Sequence, residues 1–367
     1  MNQWKEGILE ELAVFQRGHD LPKSEMKCGV IPVAGSNGII GYHNTATTKG
    51  PGITIGRSGN IGTPHFYKTD FWAHNTVLYV KDFKGNDESY VFYFLHTFDF
   101  AGFNAGSAVP TLNRNHIHEL SIKIPPLPEQ KAIAGVLSSL DDKIDLLHRQ
   151  NNTLEAMAEA LFRQWFVVEA DEGWQEKPIS EFVSVVDNRG KTPPYREENT
   201  PYPVIEVNAL GKSNRLVDYS VIKKFVEEET FNNWFRDKLS KYDTLISTVG
   251  SIGAISMYVI EKGNIAQNVI GLHAENISSF FLYQFMKYKV NEILQYDIGG
   301  VQPSIKVPHL LSILIQIPSK EKQDQFDVFM YDTLKKMEIN YLQIQTIEKL
   351  RDTLLPKLMS GEVRVAV

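Results

Sequence analysis

The chain repeats itself, and that constrains its fold more than any other feature of the sequence, because a duplicated sequence implies a duplicated domain. Thr111 to Pro125, TLNRNHIHELSIKIP, aligns without a gap to Ser304 to Pro318, SIKVPHLLSILIQIP. This places Pro110 on Pro303, His116 on His309 and Gln130 on Gln323, a period of 193 residues. Upstream, GNIG at Gly59 to Gly62 matches GSIG at Gly250 to Gly253, and AHN ending at Asn75 matches AQN ending at Asn268. Further back the offset falls to about 172, with Arg17-Gly18 answering Arg189-Gly190 and Pro32-Val33 answering Pro203-Val204. The second copy therefore carries roughly 20 extra residues between these blocks. Similarity sits in scaffold-like positions and the intervening loops diverge, as expected of two domains of one fold with separate ligand preferences.

Each copy ends in a long amphipathic segment. In the first, Ile133, Leu140, Leu147, Leu154 and Leu161 fall on d positions of a heptad, and Leu137, Ile144, Asn151, Ala158 and Trp165 on a positions. In the second, the same register gives Phe326, Met330, Thr333, Met337, Asn340, Ile344, Ile347, Arg351 and Leu354, ending near Pro356 and Gly361. Asn151 either fixes the register of a paired helix or is a satisfied polar residue on a frayed seam. Helices of roughly 50 to 57 Å at 1.5 Å per residue must bury their stripes. The counterpart helix has matching length and pattern, so the two are expected to pair antiparallel. The alternatives are packing of each helix on its own domain, or dimerisation between chains.

Between the helices, β-branched runs bounded by Gly, Pro and Asn predict strands: ITIG, TVLYV, LSIKIP, TLIST, AISMYVI and LSILIQIP. ESYVFYFLHTF and SSFFLYQFMKY predict helices. The fold class expected is α+β, two repeated mixed α/β domains separated by two long helices that form an antiparallel coiled coil. The boundaries are 1–128 for the first domain, 129–168 for the central helix, 169–319 for the second domain and 320–367 for the C-terminal helix and tail.

Composition narrows the function. The single cysteine, Cys28, leaves no disulfide framework or multi-Cys zinc site and fits a reducing compartment; it is expected to be buried or half-buried. No apolar leader opens the chain and no stretch approaches 18 apolar residues without a charge, so no membrane span is expected and the cytoplasm is the expected location. With 38 basic and 44 acidic side chains, an indiscriminate polyanion binder is disfavoured, but not a sequence-specific one.

Catalytic motifs are missing. Gly211-Lys212-Ser213 and Gly190-Lys191-Thr192 lack the glycine that a P-loop needs, with Glu206 and Val185 in its place. Thr192-Pro193-Pro194-Tyr195 resembles the Asn/Asp-Pro-Pro-Tyr motif of amino-methyltransferases, but threonine replaces the polar first residue, and the segment is read as a turn. His116-x-His118 has no Cys or carboxylate arrangement to complete a metal site, and a core or edge histidine is the better reading. The Gly-rich loops lack dinucleotide spacing; they are tight turns that could present Arg57, Ser58 and Asn60, or Ser247, Thr248 and Ser251.

Amide and basic side chains crowd the divergent loops. The candidate DNA-contacting residues are Asn44, Arg57, Ser58, Asn60, Lys68, His74, Asn75 and Arg114 in the first copy. In the second they are Asn188, Arg189, Lys191, Asn214, Arg215, Gln267, Asn268, Gln302 and Lys306. Asn and Gln pair with adenine edges, Arg and Lys with guanine, and Lys and Ser reach phosphates. The bland reading of each is a solvated surface side chain.

The block IPPLPEQKAIAGVLSSLDDKIDLL at Ile124 to Leu147, LFRQWF at Leu161 to Phe166 and the terminal LRDTLLPKLMSGEVRV at Leu350 to Val365 make the whole chain resemble the specificity subunit of type I restriction-modification systems. The resemblance implies two target-recognition domains, each reading half of a bipartite double-stranded DNA site, with a spacer set by the helices. It implies partners: two modification subunits that methylate adenine, and restriction subunits. S-adenosylmethionine, ATP and Mg²⁺ would belong to those partners, with no catalytic residue, metal or cofactor in this chain. A methyltransferase in its own right is disfavoured, because neither a cofactor loop nor an intact Asn/Asp-Pro-Pro-Tyr motif is present. A two-domain adaptor that uses the coiled coil as a spacer without DNA remains the alternative.

Overall fold

The computed structural model describes residues 4–103, 111–188, 192–212 and 214–366, in two compact units: 1–145 with 345–367, and 146–344. The first unit contains β1 (Lys5–Ile8), β2 (Val14–Arg17), β3 (Ile31–Gly35), β4 (Gly38–His43), β5 (Gly52–Gly56), β6 (Pro64–Tyr67), β7 (Trp72–Ala73), β8 (Val77–Asp82) and β9 (Ser121–Ile124). Its short helices are α1 (Leu9–Leu12), α2 (Glu88–Leu95) and α3 (Arg114–His118), and it opens the long α4 (Leu127–Arg163). The second unit contains β10 (Glu176–Pro178), β11 (Val183–Val186), β12 (Tyr202–Ile205), β13 (Phe225–Val226), β14 (Thr244–Ser247), β15 (Ile255–Met257), β16 (Asn264–Ile265), β17 (Val269–Ala274) and β18 (Leu314–Gln316). Its helices are α5 (Glu228–Asn233), α6 (Ser279–Tyr288), α7 (Val290–Gln295), α8 (Val307–Leu311) and the long α9 (Lys320–Ser360), which ends in the first unit.

The duplication holds strand for strand. Each unit has a four-stranded sheet, β2-β8-β5-β6 or β11-β17-β14-β15. Each has a three-stranded sheet, β4-β3-β7 or β13-β12-β16, and a two-stranded one, β1-β9 or β10-β18. The one parallel pairing in each three-stranded sheet also repeats, Val33 opposite Trp72 and Val204 opposite Asn264. Backbone bonds correct one alignment. His74 donates to Ala34 O as Ala266 donates to Ile205 O, and Arg57 donates to Thr76 O as Thr248 donates to Asn268 O. Asn75 therefore corresponds to Gln267 and Thr76 to Asn268, so the AHN/AQN match is shifted by one residue. The extra residues of the second copy are localised as well. In the first unit β3 and β4 are joined by the tight Ser36-Asn37 turn, whereas Glu206 to Lys224 leave and return between β12 and β13.

Each sheet core is closed by its own helix and by part of the long pair. Ile53, Ile55, Leu78 and Val80 pack with Tyr90, Val91 and Phe94 of α2, Ile133 and Leu137 of α4 and Leu358 and Met359 of α9. In the second unit Ile246, Ile255, Ile270 and Leu272 pack with Phe281 and Leu282 of α6, Phe162 and Phe166, and Phe326 and Met330 of α9. A buried glutamine ties sheet to helix in both. Gln130 Oε1 accepts from the N-cap amide of Asp87 at 2.9 Å and its Nε2 donates to Pro125 O at 2.9 Å. Gln323 does the same with Ser278 N at 2.8 Å and Pro318 O at 2.9 Å.

Within each unit the two long helices run antiparallel. In the first, Asp141 meets Arg351 at 2.8 Å while Glu129, a turn from the start of α4, meets Arg364 beyond the end of α9. In the second, Asn340 Nδ2 donates to Asn151 Oδ1 at 2.8 Å, and Phe166 lies 5.2 Å from Phe326. Both asparagines are buried, and a mismatched register would leave two amides without partners, so the pair discriminates between registers.

The heptad needs one correction. Ile133, Leu137, Ile144, Leu147, Asn151 and Ala158 are buried as expected, as are Phe326, Met330, Thr333, Met337, Asn340 and Ile344. Leu140, Leu154, Leu161, Ile347 and Leu354 are only half-buried. Past Asn151 the buried stripe of α4 runs through Glu155, Ala158, Phe162 and Phe166 instead. A straight α-helix advances 3.6 residues per turn and drifts about 20° per heptad, which carries a strict seven-residue pattern off the contact face. The drift delivers Glu155 to the globular part of the second unit.

Cys28 is exposed, contrary to expectation, because it lies in the irregular loop leading into β3 rather than on a strand face. Among the described residues no helix is long and apolar enough to cross a membrane.

Candidate nucleic-acid interface

At the C-terminal end of β5 the chain must turn sharply beside β8. Gly59 and Gly62 take positive φ values of 82° and 80°, and Gly250 and Gly253 take 85° and 74°, so the GNIG and GSIG loops share one backbone shape that L side chains resist. Gly62 N closes the first loop on Gly56 O at 2.9 Å, and Gly253 N closes the second on Ser247 O at 3.0 Å. Ser58 bridges to Thr111 and Val249 to Ser304, while Leu112 donates to Arg57 O and Ile305 to Thr248 O, each at 2.8 Å. The loops are thus clamped on both sides.

In the first unit this clamp gathers several of the sequence candidates. Arg57 Nη1 points to Asn75 O at 3.5 Å, His74 bonds to Thr76 Oγ1 at 3.0 Å and Asn75 Nδ2 donates to Asp20. Ser58 and Asn60 belong to the loop itself, and exposed Arg114 starts α3 two residues after the Leu112 tether. Asn44 and Lys68 are not part of this group. Lys68 follows Tyr67, which pairs with Gly52 at the far end of β5, and Asn44 follows His43, which pairs with Ile31 at the far end of β3. The sequence reading missed Ser36, Asn37 and Arg17. The Ser36-Asn37 turn closes β3 at the same end, with Ser36 Oγ 3.7 Å from where a Cβ on Gly59 would stand, and Arg17 ends β2 opposite Leu78. Arg17 had announced itself in the repeat; a two-residue turn carries no such signal.

The second unit rearranges the list further. Asn268 and Gln302 flank the GSIG loop: Asn268 O receives Thr248 N, and Gln302 Nε2 is 3.5 Å from where a Cβ on Gly250 would stand. Gln267 and Lys306 are exposed beside them in sequence, and Lys306 precedes the first turn of α8. Ser247 and Thr248 are buried and structural, with Ser247 Oγ donating to Ser251 O and receiving Ala254 N at 2.8 Å. Asn188 is 3 % exposed, and its side-chain Oδ1 accepts from Arg236 N at 3.0 Å, so it is a loop tie rather than a ligand contact. Asn214 spends its Oδ1 on Leu216 N at 2.9 Å. Arg189 and Lys191 lie outside the described residues.

Arg215 is the clearest departure. It is wholly buried, its Nε donates to Glu155 Oε2 at 2.7 Å, and its guanidinium lies 5.0 Å above the Tyr283 ring. Lys287 adds a second contact to Glu155 at 2.9 Å. Burial pushes the Glu155 carboxyl up, but Arg215 and Lys287 outweigh it and hold it below the usual carboxylate range. A guanidinium inside protein, paired to a helix carboxylate, docks the Glu206 to Lys224 excursion and is unavailable to DNA.

The His116-x-His118 pair divides. His116 is exposed, whereas buried His118 accepts Phe15 N through Nε2 at 2.9 Å, with Nδ1 3.6 Å from Glu10. Burial lowers its pKa against the opposing pull of Glu10, and burial likewise lowers His96. For a histidine with a lowered folded-state value, the unfolded chain binds the proton first. Stability is therefore fully present above about pH 6.5 and falls as the pH drops below that value toward the folded-state one. We expect the urea midpoint of the first unit to fall between pH 7.5 and 5.5, and His118→Gln, which keeps an acceptor for Phe15 N, to flatten the dependence. A slope unchanged by the substitution contradicts this assignment.

No group of three or more His, Cys, Asp or Glu side chains placed to hold a metal occurs among the described residues. What converges at the loop ends is amides, arginines and hydroxyls on clamped backbone, a set suited to reading base edges and contacting phosphates.

The family model described as type I restriction modification DNA specificity domain matches residues 1–156 and again 171–349. The chain is 26% identical to the MjaIX specificity subunit of Methanocaldococcus jannaschii, over 96% of this chain and 79% of that one. It is 23% identical to the HindI specificity subunit of Haemophilus influenzae, over 69% and 71% of the two chains. The crystal structure of the type I system S subunit from M. genitalium superposes with a TM-score of 0.63 at 19% identity, covering 97% of this chain and 96% of that one, and so shares the fold. The two matched stretches coincide with the two copies of the repeated sheet system, and the chain belongs to the type I restriction-modification specificity subunits, non-catalytic proteins that recognise DNA sequence.

Proposed function

We propose that each repeated unit reads one half of a two-part duplex site, and that the chain recruits adenine-N6 modification subunits and restriction subunits to that site. The observation that carries this reading is the strand-for-strand duplication of a rigid scaffold whose loop ends differ in sequence. Identical frames with different side chains at the same end suit two different half-sites. S-adenosylmethionine, ATP and Mg²⁺ are assigned to the partner subunits.

The test is to co-express the chain with a type I modification subunit and map methylated adenines in the host genome. A two-part motif is expected, and exchanging residues 1–128 for those of another specificity subunit should change one half only. An unchanged or wholly altered motif overturns the division of labour. Duplex affinity should fall steeply with salt, as log K against log salt does for a protein that neutralises phosphates. Absence of duplex binding at low salt favours the adaptor reading.

A further inference from the structure

The excursion from Glu206 to Lys224 has no counterpart in the first unit, where the Ser36-Asn37 turn joins the equivalent strands. Together with Tyr195 and the turn after β16, its two ends border an open cavity of about 280 Å³ lined by Tyr195, Glu206, Asn208, Lys224, Gln267 and Asn268. By strand register, Lys224 stands where the first unit has Gly41 and Glu206 where it has Gly35.

The walls are fixed. Arg196 and Phe225 exchange backbone bonds of 2.8 and 2.9 Å, which hold the neighbouring Tyr195 against the sheet edge, and Lys224 Nζ lies 5.0 Å over the Tyr195 ring. The floor is fixed on three sides, by Ala266 N to Ile205 O at 2.8 Å, Thr248 N to Asn268 O at 2.9 Å and Val269 N to Ala266 O at 3.1 Å. Gln267 and Asn268 are thus presented from a clamped backbone, and neither side-chain amide bonds to another described residue. The first unit differs here. Asn75, the counterpart of Gln267, is held there by Asp20.

The charge balance selects the ligand. Lys224 is bound to Glu206 at 2.7 Å, so the lining offers a compensated cation and a carboxylate oxygen that repels phosphate. Asn208 donates its Nδ2 to Val221 O at 3.4 Å; what remains is two amides, each pairing a donor with an acceptor, beside a carboxylate acceptor and an aromatic ring. The two amides complement the edge of adenine, which presents an N6 donor next to an N7 acceptor in the major groove. Resting on the DNA reading above, we infer that this cavity is the adenine-reading pocket of the second unit, with Gln267 and Asn268 as specificity-determining residues.

The test is selection from a randomised duplex library with the co-purified complex of the chain and its methyltransferase subunits. Wild type, Gln267→Ala, Asn268→Ala and the first-unit control Asn75→Ala are compared, with thermal melting confirming that each is folded. The wild-type motif should contain an adenine in the half assigned to the second unit by the exchange of residues 1–128. Gln267→Ala or Asn268→Ala should reduce the preference for that adenine by about 5- to 150-fold, the range for one bidentate pair. The other half should be unchanged, and Asn75→Ala should leave this position intact. The assignment is overturned if both variants select the wild-type motif, or if they weaken all sequences equally with a smaller salt slope, the mark of a phosphate contact. A wild-type complex that selects no motif overturns the DNA reading itself, and the pocket assignment with it.

Discussion

Glu155→Ala is expected to cost the second unit about 3–5 kcal/mol, the range for removing one partner of a buried ion pair. Glu155 is 3 % exposed and Arg215 is 0 % exposed, and Nη2 of Arg215 already lacks a hydrogen-bond partner among the described residues. Without the carboxylate the guanidinium is left uncompensated inside protein. The excursion it anchors then has every reason to come off the helix. The expected readouts are a lowered denaturation midpoint at pH 7 and faster amide exchange across 206–224. Glu155→Gln should fall between wild type and alanine, because the amide still accepts from Arg215 without neutralising it. Glu155→Met with Arg215→Met should recover most of the loss, since a buried ion pair replaced by packed apolar side chains is often neutral or better. A double variant no more stable than Glu155→Ala would show that the ion pair is not what docks the excursion. If the excursion also forms the adenine pocket, Glu155→Ala weakens second-half recognition from a residue that never touches DNA.

Glu155 also shows where the sequence stops being legible. The heptad located both long helices and their buried stripes, because apolar periodicity survives any tertiary context. It could not place Glu155 inward, since a pattern of 3.5 assigns that stripe position to Leu154, and only the helix's real pitch turns the next residue in. Arg215 was misassigned for a related reason. An arginine in a polar loop looks solvent-facing until its partner, 60 positions earlier, is known. The strands were legible from β-branched runs bounded by Gly and Pro, but the parallel pairing of β3 with β7 joins residues some 39 positions apart and leaves no local mark. Arg57, Ser58, Asn60, His74 and Asn75, picked out by residue type beside the repeated blocks, are gathered at one end of the sheet. Asn44 and Lys68 matched in type alone, and the strands carry them to the opposite end.

Phe326→Ala should cost about 3–5 kcal/mol, and its counterpart in the repeat, Ile133→Ala, about 2–5 kcal/mol. Both side chains are fully buried, and each is the first seam residue after the glutamine that recurs in both helices. Phe326 lies 5.2 Å from Phe166 and 6.3 Å from Phe162 and Trp165, so its removal opens a cavity among rings that cannot collapse into the space without leaving their own rotamers. Ile133 is the smaller side chain and its removal leaves the smaller cavity, which places it lower in its range. The amides of α6 should exchange faster in Phe326→Ala, and those of α2 in Ile133→Ala, because Gln323 and Gln130 hold the first turns of those helices from the same seam. If Phe326→Ala leaves α6 exchange at the wild-type rate, the long helix is not part of the second unit's core. The loops at the sheet ends of that unit would then be supported by the sheets alone.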